Sequence, residues 1–382
     1  MASLRTNLFL VTLGLSLLGM VMVYSATYRD YGPHFLFVRL WHVTLGVIVF
    51  LLVSRVRYTS WRKFAPWLYV AVLALLVLVL VPGIGVEAGG ARRWLDLGIF
   101  SLQPAEFAKL AAVVALSCAV ARMPSGSGIP FRPLAAVGAL FGLVLVEPDF
   151  GTSVVLLAGV AGVLWASEVR TRDLLMAGGA AVVALVGVMW LEPYRRQRFM
   201  TFLDPWSVSD DSGYQIVQSL VAIRTGSLFG TGAGSGGQAA TVPEIQTDMI
   251  FALIGEEFGL FGMMAVIAAL CFVLLAGLRI AFHAPSVMAR CMAAGLTTMI
   301  AVQATFNIGA AMGVLPLAGM TLPFISYGGS SLIVCFAAVG ILYRISEDSE
   351  RVREIKPKKS AARPDSRRGY GRTRDSRALR GG

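Results

Sequence analysis

The amino-acid sequence predicts an all-α polytopic membrane protein, on three observations. Of its 382 residues 56% are hydrophobic and only 14% charged, whereas soluble domains carry about 25% charged residues. Mean hydropathy is +0.72. Runs of 17 or more predominantly apolar residues recur along the chain, each long enough to cross a hydrocarbon core of about 30 Å.

About ten transmembrane helices follow in order, near 8–26, 35–53, 66–82, 104–122, 134–148, 152–167, 174–191, 248–277, 289–313 and 321–343. The first run has no Ala-x-Ala-like cleavage site and is followed by many more, so it reads as a first span rather than a removed signal peptide. Every second loop is basic, through Arg55, Arg57, Arg62 and Lys63, then Arg122 and Arg132, then Arg170 and Arg172, then Arg279 and Arg290. The bias of lysine and arginine toward the inner side places these loops and both termini in the cytoplasm. The longest polar stretch, 192–247, then becomes a large extracytoplasmic loop between helices 7 and 8.

Cys118, Cys271, Cys291 and Cys335 lie in or beside apolar runs and read as small core hydrophobes. The net charge of +11 suggests nucleic-acid binding until it is located: from Arg351 onward there are 12 Lys/Arg against three acids. The chain divides into a membrane domain, 1–345, and a tail, 346–382, of disordered composition. A basic cytoplasmic tail is attracted to anionic lipid; no nucleic acid is implied.

The outward loops break the charge rule. Arg92 and Arg93 stand in 83–103, and Arg195, Arg196, Arg198 and Arg224 in 192–247. Arginines on the unexpected side suit an anionic ligand, or they snorkel to outer headgroups. Charges within spans are costly and usually functional. Glu106 and Lys109, at i and i+3, either pair to fix helix packing or line a polar cavity. Asp149, between Pro148 and Gly151, is read first as a cap of span 6 and second as a site residue. Asp248 sits at the mouth of span 8, where a helix N-terminus favours a carboxylate able to accept a proton. Glu256 and Glu257 follow two turns deeper. Ser326 and Tyr327 open the small-residue run to Ser331, which permits close packing, a helix break or ligand contact.

Taken together, several stretches resemble the SEDS family of bacterial cell-wall proteins (FtsW, RodA and SpoVE). They are GARRWLDLG at 90–98, QPAEFAK at 103–109, PDFGT at 148–152 and RRQRFMTFLDPW at 195–206, then GYQIVQSLVAI at 213–223, PEIQTDMIFALIGEEFG at 243–259 and NIGAAMGVLPLAGMTLPFISYGGSSL at 307–332. Asp204-Pro205-Trp206, Gly213-Tyr214-Gln215 and Ser330-Ser331 lie nearer the FtsW/SpoVE branch than RodA. The chain departs from the family pattern at Gln246, usually His, at Ala239, often Lys, and at Glu147, usually Gln.

The resemblance implies a peptidoglycan glycosyltransferase in the cytoplasmic (inner) membrane, polymerising lipid II at its outer face in cell division or cell-shape maintenance. Asp248 would be the catalytic base. Arg92, Arg93, Glu106, Lys109, Asp149, Arg198, Glu244, Ser326 and Tyr327 would contact substrate. A class B penicillin-binding protein and other divisome or elongasome membrane proteins would be partners. Diphosphate chemistry and the family together imply Mg2+ or Mn2+, although no metal-ligand spacing is visible. A lipid II flippase and a non-enzymatic scaffold remain as alternative readings.

Overall fold

The computed structural model describes residues 2–88, 91–98, 100–124, 126–191, 193–209, 213–237 and 241–361. Helices α1 (Ala2–Tyr31), α2 (His34–Arg55) and α3 (Trp61–Leu80) precede a small sheet of β1 (Gly85–Ala88), β2 (Ala91–Asp96) and β3 (Ser101–Leu102). Then come α4 (Pro104–Val120), α5 (Phe131–Val146), α6 (Phe150–Ala166) and α7 (Thr171–Leu191). The long polar stretch contains α8 (Pro193–Leu203) and α9 (Tyr214–Gly226). The chain continues through α10 (Ile250–Phe282), α11 (Val287–Ala311) and α12 (Gly329–Ala361).

A helix stands at each of the ten apolar runs, and six of the described helices are long and apolar enough to cross a membrane: those at Ser3–Tyr31, His34–Arg55, Tyr58–Leu80, Ile250–Phe282, Val287–Ala311 and Gly329–Val352. Their burial separates the layers. The apolar window of α12 is 89% buried and that of α11 72%, against 22% for α3. The centre is therefore α11 and α12 with α4 and α6, whose residues are largely buried. Trp67, Phe64, Phe261 and Leu275 project from the outer helices, where the surrounding medium would be lipid.

Three expectations are corrected. The fold is mostly but not wholly helical, because loop 83–103 forms an antiparallel sheet in the order β1-β2-β3. Leu95 pairs with Gly85 on one side and Leu102 on the other. Ala91 and Leu95 of β2 are buried, and the register between β1 and β2 shifts between them. Second, span 10 does not begin near 321. Residues 319–328 run without regular helix, Phe324 has φ +69°, and α12 starts only at Gly329. Third, the chain stays helical to Ala361, into the segment expected to be irregular. Ion pairs Arg344–Asp348 at 3.0 Å, Arg351–Glu347 at 2.6 Å and Arg5–Glu350 at 2.9 Å hold the first turns of that extension. The tail beyond Ala361, Ala239, and the side chain of Arg195 lie outside the described residues.

One break positions the site. Gly259 interrupts α10 with φ +63° and ψ −160°, a conformation that only glycine adopts readily. The chain after α9 uses the opening, with Thr231 N donating to Glu256 O at 2.9 Å and Leu260 N to Ser227 O at 3.0 Å. The polar segment is thereby tied to α10 just before it reaches Asp248.

Candidate functional site

The turn 244–248 is built by its own side chains. Glu244 takes φ +54°, and its carbonyl accepts from Thr247 N at 3.0 Å, Asp248 N at 3.1 Å and Thr247 Oγ1 at 2.9 Å. Two contacts dock this turn on the broken segment before α12. Tyr327 N donates to Gln246 O at 2.7 Å. Asn307 Nδ2 on α11 donates to both Asp248 O, at 2.8 Å, and Met320 O, at 2.6 Å.

These contacts turn the Asp248 side chain toward Gly319. A Cβ on Gly319 would lie 3.7 Å from Asp248 Oδ2 and 3.9 Å from Arg198 Nη1. Carboxylate and guanidinium, from segments 50 residues apart, thus face one small residue of left-handed φ +65°. Burial pushes the Asp248 carboxyl up to about 6. Arg198 opposes that rise, the Glu244 carboxylate adds to it, the Thr247 side chain opposes it by hydrogen bonding, and Asp149 adds again. Asp248 is therefore a carboxylate at neutral pH with more proton affinity than an exposed aspartate, which suits a general base.

The other expected site residues divide. Lys109 is 1% exposed; its Nζ is 2.7 Å from Glu106 Oε2 and donates to Gln303 Oε1 at 2.9 Å. Gln303 Nε2 donates onward to Thr321 O and to Ser331 Oγ, both at 3.0 Å. The pair is thus built into helix packing, and its ammonium points at α11. Gln303 and Asn307 are one turn apart on α11, so this network adjoins the Asp248 turn.

Asp149 caps α6, accepting from Thr152 N at 3.0 Å and Thr152 Oγ1 at 2.8 Å, and it also accepts from Gln103 Nε2 at 2.8 Å. Arg93 donates from Nε to Glu147 O at 2.9 Å and from Nη2 to Pro148 O at 2.8 Å, pinning the α5–α6 turn. Arg92 lies opposite Glu87 across β1 and β2, with their charged groups 3.5 Å apart. The Glu244 carboxylate accepts from Gln246 Nε2 at 3.3 Å. Ser326 Oγ accepts from Leu322 N at 2.8 Å, and the Tyr327 ring packs against Phe35 at 5.0 Å between centroids. In this arrangement Asp248 and Arg198 both approach Gly319, while Glu106, Lys109, Asp149, Arg93 and Ser326 are engaged in hydrogen bonds or ion pairs of the surrounding fold.

Three residues not singled out from the sequence belong here, Gln103, Gln303 and Asn307, amides at the ends or in the middle of apolar runs, a signal as informative as a charge. Glu147, noted in the sequence only as a departure from the family pattern, belongs here too. Glu147 is fully buried, and among the described residues neither carboxyl oxygen has a hydrogen-bond partner. Burial pushes it up to about 8, with the Asp149 charge adding to the rise and Arg93 opposing it.

The family model described as cell cycle protein, FtsW/RodA/SpoVE, matches residues 5–351. The chain belongs to that family. This SEDS-family chain is 37% identical over 354 residues to stage V sporulation protein E of Bacillus subtilis (strain 168), covering 90% of itself and 96% of that protein. It is 38% identical over 361 residues to the probable peptidoglycan glycosyltransferase FtsW of Coxiella burnetii, covering 89% and 95%. Among solved structures it is similar to one described as structural coordination of polymerization and crosslinking by a peptidoglycan synthase complex, with a TM-score of 0.75 and 30% identity over 90% of this chain and 97% of that one. It is also similar to the rod shape determining protein RodA of Thermus thermophilus, with a TM-score of 0.67 and 28% identity over 90% and 96%. For the divalent cation expected of the family, no group of three or more His, Cys, Asp or Glu gathers among the described residues; Mg2+ is commonly held by one or two carboxylates together with substrate phosphates.

Proposed function

We propose that this chain is a peptidoglycan glycosyltransferase that polymerises lipid II at the outer face of the cytoplasmic membrane. The observation that carries the reading is the Asp248 carboxylate, raised to about 6 and facing Arg198 across Gly319. Asp248 takes the proton of the acceptor's GlcNAc 4-hydroxyl. That oxygen forms a bond to the donor's anomeric carbon from the face opposite the leaving group, with inversion. The bond from that carbon to the diphosphate oxygen breaks, its electron pair leaves with undecaprenyl diphosphate, and Arg198 offsets the charge that develops. No step is assigned to a metal ion.

The reading requires the 244–248 turn to lie on the outer side, with ten spans and both termini cytoplasmic; the alternating basic loops support this. It makes a class B penicillin-binding protein transpeptidase the natural partner, supported by the similarity to the peptidoglycan synthase complex. The test is to incubate purified protein, with and without that partner, with lipid II and to separate the glycan products on a gel. Polymer from the parent protein is expected. Absence of polymer from both preparations, together with lipid II crossing a reconstituted bilayer, would replace this reading by a flippase.

A further inference from the structure

At the end of the bundle away from Asp248, α3, α4 and α5 leave a groove of about 300 Å³ between them. Its position follows from the helices that form it. α5 ends at the Glu147 turn, so Pro133 near its start stands about 20 Å from that turn at 1.5 Å per residue. α4 leaves the Gln103–Asp149 contact at one end and runs to Arg122 at the other.

The walls of the groove are aliphatic, formed by Ala65 and Val70 of α3, Ala115 and Ala119 of α4, and Val137 of α5. Tyr69 also lines it and has its hydroxyl turned to Ala136 O, at 2.8 Å. Arg62 and Arg122 stand at its rim, both exposed. Neither forms an ion pair among the described residues. Arg62 Nε approaches the Met288 sulfur at 3.4 Å, a weak acceptor, and its terminal nitrogens are left for another partner.

Two guanidinium groups above an apolar slot match one occupant in charge and in shape. A phosphodiester accepts paired hydrogen bonds from arginine, and the chain attached to it has an aliphatic trough to follow. A free anion would leave the slot without purpose, and a zwitterionic lipid, with no net charge, would leave both arginine charges at the rim uncompensated, where a lipid of net charge −1 leaves one. We infer that this groove is a binding site for an anionic phospholipid of the cytoplasmic leaflet. The leaflet, though not the site, rests on the orientation proposed above. The cytoplasmic surface supplies such lipids and attracts basic groups near it. Occupancy has a structural consequence, because α4 carries Glu106 and Lys109 at its opposite end. A lipid seated along Ala115 and Ala119 braces the helix that holds the buried ion pair.

The experiment uses the full chain purified in neutral detergent, with thermal unfolding and native mass spectrometry as readouts. Phosphatidylglycerol, phosphatidylcholine and inorganic phosphate are added separately. Phosphatidylglycerol is expected to raise Tm and remain bound through desolvation, and the other two to do neither. The double variant Arg62→Gln/Arg122→Gln should weaken phosphatidylglycerol binding by roughly 10–30-fold, as for two basic groups at a lipid surface. Its lipid-free Tm should match the parent's. Ala119→Phe keeps both arginines but obstructs the slot, and should lose bound lipid to a similar degree; it decides the matter if the double variant does not fold. Equal stabilisation of parent and double variant, retained lipid in Ala119→Phe, a shift from inorganic phosphate alone, or equal binding of phosphatidylcholine would each overturn the site. Reporter fusions placing Arg62 outside the cell would remove the leaflet assignment and the proposed orientation while leaving phosphatidylglycerol binding intact.

Discussion

Two of the charged pairs in this fold, Glu106 with Lys109 and Asp248 with Arg198, have different surroundings. Glu106 and Lys109 share one helix, touch at 2.7 Å and are almost wholly buried, with Gln303 taking a further hydrogen bond. Asp248 and Arg198 come from separate segments, are half-buried, and both approach Gly319, with the Thr247 side chain hydrogen-bonding to Asp248. The first pair neutralises itself within the packing, at a cost in desolvation that only good geometry offsets. The second is positioned by the backbone contacts of Asn307 and Tyr327, and burial raises the proton affinity of its carboxyl.

The sharpest test of that contrast is Asp248→Asn. Losing a positioned base costs about 10²–10⁴-fold in rate, so lipid II polymerisation should nearly vanish while thermal stability and membrane insertion persist. In the parent, the rate should rise with pH through about 6 as the carboxyl ionises. Unimpaired polymerisation by the variant would remove Asp248 as the base.

Next in size is Lys109→Ala, which should act on stability. It leaves Glu106 buried and unpaired, a loss of about 3–5 kcal/mol readable as a lowered Tm in detergent. The exchange Glu106→Lys/Lys109→Glu should recover most of that loss. If Lys109→Ala abolishes polymerisation at parental Tm, Lys109 belongs with Asp248 and the contrast fails.

Glu147 separates burial from pairing. Its folded value near 8 lies above the ordinary carboxyl value of 4.5. The unfolded chain therefore ionises first, and this group's stabilising contribution falls as pH rises from about 4.5 to 8. Glu147→Gln should flatten that decline, gaining stability relative to the parent at pH 8 compared with pH 5. Parallel Tm curves for the two proteins would mean that Glu147 is ionised in the fold.

Gly319→Ala should lower Tm modestly, since a left-handed φ costs an L-residue about 1–2 kcal/mol, while its Cβ makes only ordinary contact with Asp248, at 3.7 Å, so the rate per folded molecule should stay close to the parent's. The smallest effect is expected from Arg92→Gln. Its pairing with Glu87 is largely exposed, and such pairs contribute about 0–1 kcal/mol. A large fall in polymerisation at unchanged Tm would instead give Arg92 a role toward substrate.

Composition and run length by themselves determined that this is a multi-helix membrane protein and where its helices stand, because lipid admits few alternatives for a long apolar run. Residue type and spacing also brought out the Glu106–Lys109 pair, the Asp149 cap and Asp248, since i,i+3 contacts and helix caps are local. Tertiary structure alone decided the rest. Arg93 meets the α5–α6 turn, Lys109 meets Gln303, and Arg198 faces Asp248, through contacts between 50 and 194 residues apart in sequence. The sheet at 85–102 and the late start of α12 likewise depend on what packs against them. Local periodicity reports which face of a segment prefers lipid or core; proton affinity and pairing depend on the groups that packing brings near, and these come from elsewhere in the chain.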